Sequence, residues 1–288
     1  MSDRRGQIGE RAQVKRACPM CGGSELRVRF TYSEPPPLEV RFSLTADTTY
    51  WRELHRCGGC GHYLEWMGLD QSSLYHGEYV SATYQDADGI RRHFDRISAL
   101  PPEQSDNAGR ARHVDDYCRR HLGGTAEHRL LDVGAGLGVF PARMKALGWA
   151  CTAIDMDDRL VAHYCDIVGV HGLATDVRTA SDIGPFDLVT FNKVLEHVED
   201  PIAMLASAAR LLAPGGLVYV ELPDGEAAEI EGQEREEYLF GHMHVFSFAS
   251  YALLIAKAGF ELIACERLRE PSTKFTLRGF AHPREAGA

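Results

Sequence analysis

Through the second half of the chain, short apolar runs alternate with segments whose apolar residues recur at helical spacing. The runs Arg129–Val133, Ala150–Ile154, Phe186–Phe191, Leu217–Glu221, Glu261–Cys265 and Phe275–Phe280 predict strands. Between them, Val139–Leu147, Asp158–Val168, Ile202–Leu212 and Ala249–Ala258 predict helices. This alternation points to an α/β fold, a doubly wound parallel sheet with helices on both faces. The first part of the chain reads differently. Its candidate strands are Glu25–Phe30, Glu39–Leu44, Tyr50–Arg56 and His62–Trp66. The run Pro35-Pro36-Pro37 breaks them, and no central strand tolerates three prolines. A small β-rich module is expected there.

The pattern between these two parts is weaker. It holds Tyr75, Tyr79 and Tyr84, a polar break at Pro101–Gly109, and a helix predicted over Ala111–Leu122. The expected layout is therefore a β-rich module over 14–68, a linker with a helical lid over 69–124, and the α/β domain over 125–281. Residues 1–13 read as frayed.

Composition changes this picture little. A hydrophobic fraction of 44% with 25% charged residues fits a folded chain and excludes wholesale disorder. No window approaches the roughly 18 uninterrupted apolar residues of a membrane span. The opening Met1–Gln13 lacks the apolar stretch of a signal peptide, so a cytoplasmic protein without membrane partners is expected. Charge says more. Residues 1–125 balance at 17 basic and 17 acidic, so the whole net charge of −10 falls on the remainder. An acidic domain repels a phosphate backbone, which argues against a long nucleic-acid groove. The pattern specifies no oligomeric state.

Four of the eight cysteines pair by spacing, as Cys18-Pro-Met-Cys21 and Cys57-Gly-Gly-Cys60. Each pair can bring two thiolates to one ion from a tight turn, aided by Pro19, Gly22, Gly58 and Gly61. Four sulfurs in a tetrahedral array make a closed, structural Zn2+ site with no open position for chemistry. A redox reading would need a thioredoxin-like βαβ context and no second pair. Cys118, Cys151, Cys165 and Cys265 sit among apolar neighbours and read as packing residues.

The segment Leu130-Leu131-Asp132-Val133-Gly134-Ala135-Gly136-Leu137-Gly138 closes a strand and opens a helix. Its glycines let the backbone turn tightly and pass close to a ligand. Its spacing is GxGxG, with Asp132 at the rim, where a dinucleotide phosphate loop would have GxGxxG and no carboxylate. An acid suits a cationic ligand, and S-adenosylmethionine carries a sulfonium and an ammonium. The next strand ends at Asp155-Met156, about 20 residues on, where an acid can hold a ribose diol.

From about 128 to 265 the chain resembles the class I S-adenosylmethionine-dependent methyltransferases. The glycine segment looks like their first motif, with Asp132, Gly134, Ala135, Gly136 and Gly138 lining the cofactor. Asp155 and Met156 match the ribose acid and its neighbour, and Asp176-Val177 the adenine contacts. The run Phe186–Pro201, which includes Asn192, matches the motif of the fourth strand. Leu211–Gly216 matches the turn before the fifth strand. The resemblance implies a Rossmann-like sheet of seven strands with the last antiparallel, so Phe275–Phe280 should form a hairpin with Glu261–Cys265. The ending His242-Met243-His244-Val245-Phe246-Ser247 is similar to that of small-molecule methyltransferases, including those acting on sugars. A four-cysteine module ahead of such a domain resembles the deoxysugar C-methyltransferases.

In ubiquinone-pathway and small-RNA O-methyltransferases an E-x-x-E-H element holds a catalytic divalent metal. Here Lys193 takes its first acid position, which opposes a cation, so Glu196 and His197 are read as shaping the turn after the fourth strand. The stretch after the fifth strand faces the substrate in this family. That makes His244, with His242 as alternate, the expected general base. Tyr75, Tyr79 and Tyr84 could cover the cofactor or simply pack the two parts together.

The expected function is methylation of an O or C atom of a small metabolite, a sugar derivative first. The alternative is an RNA or protein methyltransferase gripping its substrate through the zinc ribbon, near Arg4, Arg5, Arg11, Lys15, Arg16, Arg27 and Arg29. A binding protein without catalysis is disfavoured by the intact cofactor motifs.

Overall fold

The computed structural model describes residues 17–37, 39, 50–67, 81, 83–123 and 127–284. Most of the expected strand Glu39–Leu44, together with Tyr75, Tyr79 and the first five residues of the basic cluster, lies outside them. In chain order the strands are β1 (Leu26–Tyr32), β2 (Arg52–Cys57), β3 (Tyr63–Met67), β4 (Arg129–Val133), β5 (Ala150–Asp155) and β6 (His171–Ala174). There follow β7 (Phe186–Asn192), β8 (Leu212–Pro223), β9 (His244–Val245), β10 (Phe260–Arg269) and β11 (Phe275–Pro283). The α-helices are α1 (Ala87–Ser98), α2 (Asp106–His121), α3 (Val139–Ala146), α4 (Asp158–His163), α5 (Pro201–Ala206), α6 (Gly225–Ala228) and α7 (Phe248–Lys257).

Seven strands form the main sheet in the order β10-β11-β8-β7-β4-β5-β6. The pairs from β8 to β6 are parallel, while β11 runs antiparallel to both β8 and β10, as the expected hairpin requires. This is the seven-stranded Rossmann-like arrangement that the resemblance implies. Strands β7 and β4 are buried almost throughout, which is why they read as continuous apolar runs. Among the described residues no helix is long and apolar enough to cross a membrane.

Several boundaries differ from the pattern reading, each for a local reason. Strand β6 has only four residues at the sheet edge, His-Gly-Leu-Ala, too few to register as an apolar run. Helix α1 is mostly polar and turns Ile90 to the core. Helix α2 starts earlier than expected because Ser105 caps it, its side chain accepting from Ala108 N, so half of the polar break is the first turn. The expected turn Leu211–Gly216 lies largely within β8, as an irregularity between its pairs Phe186–Leu212 and Leu188–Leu217.

The second sheet has four strands, β1-β2-β3-β9. Its fourth strand comes from far down the chain: Tyr63 pairs with Val245 and Leu64 with His244. The two sheets also share one core. Cys18, Met20, Cys57 and Cys60 belong to the same buried apolar cluster as Leu131, Val189, Phe191, Val220 and Phe246. Polar bonds reinforce the joint. Ser247, which caps α7, bonds the Cys60 carbonyl, and Lys257 at the other end of α7 donates to the Pro19 carbonyl at 3.0 Å. The fully buried Arg52 donates to the Tyr238 carbonyl at 2.6 Å, and its charge is met by Glu39 and Glu65.

Candidate functional site

The glycine loop and three acidic residues come together at the C-terminal ends of β4, β5 and β6. Strand β4 runs beside β5 in register Val133–Ile154, and the Ile154 carbonyl then accepts from Gly134 N at 2.8 Å and Ala135 N at 3.3 Å. The loop is thereby held against the end of β5, where Asp155 stands. Gly134, Gly136 and Gly138 all have positive φ, of 62°, 54° and 73°. A side chain at Gly138 would also strike Val168 Cγ2 at 2.9 Å, whereas a Cβ at Gly136 would meet nothing within 4 Å. The space over Gly136 is open to a ligand.

Asp132 is buried beneath the loop. Its Oδ1 accepts from Thr190 Oγ1 at 2.6 Å and from Asn192 Nδ2 at 2.7 Å. Burial pushes its carboxyl up to about 7, the two hydrogen bonds opposing. Asn192 Oδ1 is buried with no partner. Asp155 accepts from Asp157 N at 3.2 Å and from the Tyr164 hydroxyl at 3.3 Å, and burial raises its carboxyl above the usual range. Met156 beside it is 65% exposed, an apolar side chain at the surface. Asp176 follows β6, its carboxylate held below the usual range by hydrogen bonds from Arg178, while Val177 is buried. All ten residues expected to line the cofactor thus fall at or beside the C-terminal ends of β4, β5, β6 and β7.

The four cysteines also converge, their sulfurs within 4.8 Å of one another. Cys18 Sγ lies 3.6 Å from Cys60 Sγ, and Cys21 Sγ 3.5 Å from Cys57 Sγ. Four sulfurs each about 2.3 Å from a central ion would stand roughly 3.8 Å apart, so the array fits tetrahedral zinc. The Gly23 amide points at Cys21 Sγ at 3.4 Å and lowers that thiol to about 7.

The expected general base does not fit its role. His244 is 4% exposed and lies in β9, the last strand of the four-stranded sheet. Its Nε2 faces the Glu199 carbonyl at 3.4 Å, which requires an N–H there. Its Nδ1 lone pair is then met by His62 Nε2 at 3.0 Å. No lone pair is left for an acceptor proton, and burial pushes the ring down to about 4. The expectation for His244 is corrected accordingly: it joins the two sheets.

His242 is placed otherwise. Its Nδ1 donates to the Glu237 carbonyl at 2.8 Å, and His197 Nδ1 donates to the Gly241 carbonyl at 2.8 Å. In its neutral ring the His242 Nε2 then carries the lone pair. Glu196, His197 and His242 bring one ligand atom each within 4.8 Å of one another. Glu196 is fully buried, and neither of its carboxylate oxygens has a hydrogen-bond partner. The Lys193 ammonium is bonded to Thr276 Oγ1 at 2.8 Å, on β11. The spacing Glu196-His197 was visible in the sequence, but nothing in the sequence ties it to a histidine 45 positions on. Tyr84 packs edge-on against His93 at 5.4 Å between ring centres.

The family model for the methyltransferase domain matches residues 84–264, which takes in α1, α2, strands β4 to β8 and the first half of β10. A ubiquinone biosynthesis O-methyltransferase of Xanthomonas oryzae pv. oryzae is 34% identical over 161 residues, 52% of this chain and 60% of that one. One from a Caulobacter species is 38% identical over 99 residues, 32% of this chain and 39% of that one. The chain thus spans less than two thirds of the curated relatives it matches. Among solved structures, the 1,6-didemethyltoxoflavin-N1-methyltransferase of Burkholderia thailandensis covers 88% of this chain and all of its own at TM-score 0.55 and 18% identity. The magnesium protoporphyrin IX methyltransferase of Synechocystis PCC 6803 covers 75% of this chain and all of its own at TM-score 0.52 and 16% identity. These two likenesses are of fold. With a family match across most of the described sheet and a glycine loop facing open space at its edge, the chain belongs to the methyltransferase domain family.

Proposed function

We propose that this protein transfers the methyl group of S-adenosylmethionine to an oxygen, or alternatively a carbon, of a small metabolite. The observation that carries the reading is the cradle of Gly134–Gly138, Asp132 and Asp155 around open space, inside a domain of this family. Asp155 would hold the ribose hydroxyls, Met156 the adenine face, and the Gly136 backbone the methionine part. Val177 and Asp176 would border the adenine. The methyl carbon leaves a sulfonium, and sulfur departs neutral, so the protein's main task is to align donor and acceptor. The relatives named as O-methyltransferases favour oxygen, and hydroxylated aromatic and sugar acceptors are the first to try. A macromolecular acceptor is disfavoured. Of the basic cluster, Arg27 pairs with Glu25 and Arg29 with Glu229, so neither presents a bare charge to a phosphate backbone.

Cys18, Cys21, Cys57 and Cys60 would hold a structural zinc ion. A second reading follows from the unpartnered Glu196 carboxylate. Glu196, His197 and His242 would hold a divalent cation, and such an ion polarises an acceptor oxygen. Without the ion, His242 Nε2 would be left as the base, in a ring that burial holds well below the usual histidine range. The test is calorimetric titration with S-adenosylmethionine, then a methyl-transfer assay that compares small-molecule and macromolecular fractions of a cell extract. No saturable cofactor binding would sink the proposal, and label passing to macromolecules alone would move it to the alternative. Loss of Mn2+ binding in Glu196→Gln would support the second reading, and wild-type protein that binds none would end it.

A further inference from the structure

Glu270 is a buried carboxyl with an unanswered oxygen. It is 5% exposed, and its Oε1 has no hydrogen-bond partner. It sits where β10 turns into β11, its amide bonded to the Lys274 carbonyl at 2.8 Å. Leu268 stands opposite Thr276 in this hairpin. Glu270, two residues on, therefore leaves the same face of the sheet as Thr276. Thr276 Oγ1 is the group that receives the Lys193 ammonium. Lys193 directly follows Asn192 of the cofactor edge. It holds a left-handed φ of 59°, which residues other than glycine seldom adopt and which clusters at functional sites.

The other charged groups on this face answer one another. Arg110 donates from Nε to Glu221 Oε2 at 2.7 Å, and the Tyr219 hydroxyl reaches the same oxygen at 2.9 Å. Asp106 accepts from the Ser272 amide at 3.0 Å and from its hydroxyl at 2.6 Å. Among the described residues, Glu196 stands unpartnered beside His197 and His242, and Glu270 is the other unpartnered carboxyl near Lys193. An ammonium has three hydrogens, and Thr276 accounts for one.

We propose that Lys193 and Glu270 form a subsite that holds a hydroxyl group of the methyl acceptor. The spare ammonium hydrogens call for an oxygen, and the unanswered carboxyl oxygen calls for a hydrogen. A hydroxyl supplies both at once. An amine in its ammonium form cannot accept from Lys193, and a carboxylate would face Glu270. The subsite therefore selects neutral hydroxylated acceptors over amines and acids. This rests on the methyltransferase reading above and narrows its substrate class.

The experiment uses the full chain saturated with S-adenosylhomocysteine. The probes are catechol and methyl glucoside, with phenethylamine as the amine control, titrated by ligand-observed NMR. At least one hydroxylated probe should saturate, and the two together separate an aromatic from a sugar source. Glu270→Gln and Lys193→Met should each weaken that probe about tenfold or more, the loss of one hydrogen bond to a charged group. Affinity for S-adenosylhomocysteine should stay unchanged, which also shows that the variants fold. In wild-type protein the Lys193 ammonium resonance should shift with the probe, a readout that needs no variant. No saturation by either hydroxylated probe, wild-type affinity for the probe in both variants, or preference for phenethylamine would each overturn the subsite. Failure of the wild type to bind S-adenosylhomocysteine would instead overturn the cofactor reading beneath it.

Discussion

Asp155 accepts one amide hydrogen and shares the single Tyr164 phenol hydrogen with the Gly136 carbonyl, which leaves carboxylate capacity for further donors. If a ribose diol uses it, Asp155→Ala should weaken S-adenosylmethionine binding by about 1.5–3 kcal/mol, tenfold or more. Calorimetry giving unchanged affinity would put the ribose elsewhere. His244 makes a prediction of a different kind. Unfolded, a histidine takes up a proton near pH ~6.5, while folded His244 resists until about 4. Between those values the unfolded chain binds a proton that the folded chain refuses. Stability is therefore full above about pH 6.5 and falls as the pH drops toward 4. Burial depresses His62 too, with the same sign. The melting temperature should decline through this window, and His244→Gln should decline less steeply. Parallel curves would show that His244 takes up its proton as readily folded as unfolded.

At the scale of elements, β9 is the least legible and the most consequential. Two residues cannot show a period, and their partner β3 lies far away in sequence. By contrast β4 and β7, buried almost throughout, read as apolar runs, and the glycine segment read as the turn from β4 into α3. Cys18, Cys21, Cys57 and Cys60 were legible because ligand spacing is local within each pair. The group Glu196, His197 and His242 was only half legible, since its third member arrives through tertiary structure. For the same reason His244 was misjudged: its neighbours in space, His62 and Glu199, are not its neighbours in sequence. The zinc reading predicts one tightly bound ion per chain by metal analysis. Metal-free protein with four freely titrating thiols would refute it. Cys57→Ser should raise hydrogen exchange at 243–247, which the cysteine module holds, and leave the loop 134–138 protected. Equal exchange in variant and wild type would mean that β9 stands without the metal.

For the molecule as a whole, the acidic surplus falls entirely after residue 125, on the stretch that carries all seven strands of the methyltransferase sheet. Such a surface favours solubility and approach of neutral or cationic small molecules. The closure of the N-terminal sheet by β9 has a consequence for the order of synthesis. His62 and His244, which lock that closure, are 182 residues apart. On the ribosome all four cysteines emerge long before the strand that completes their sheet. Chains arrested before residue 244 should thus display reactive thiols or bind zinc in an unfinished module, and protection of those thiols should rise only once β9 has been made. What reads along the chain as a leading module is, in time, among the last parts to be finished.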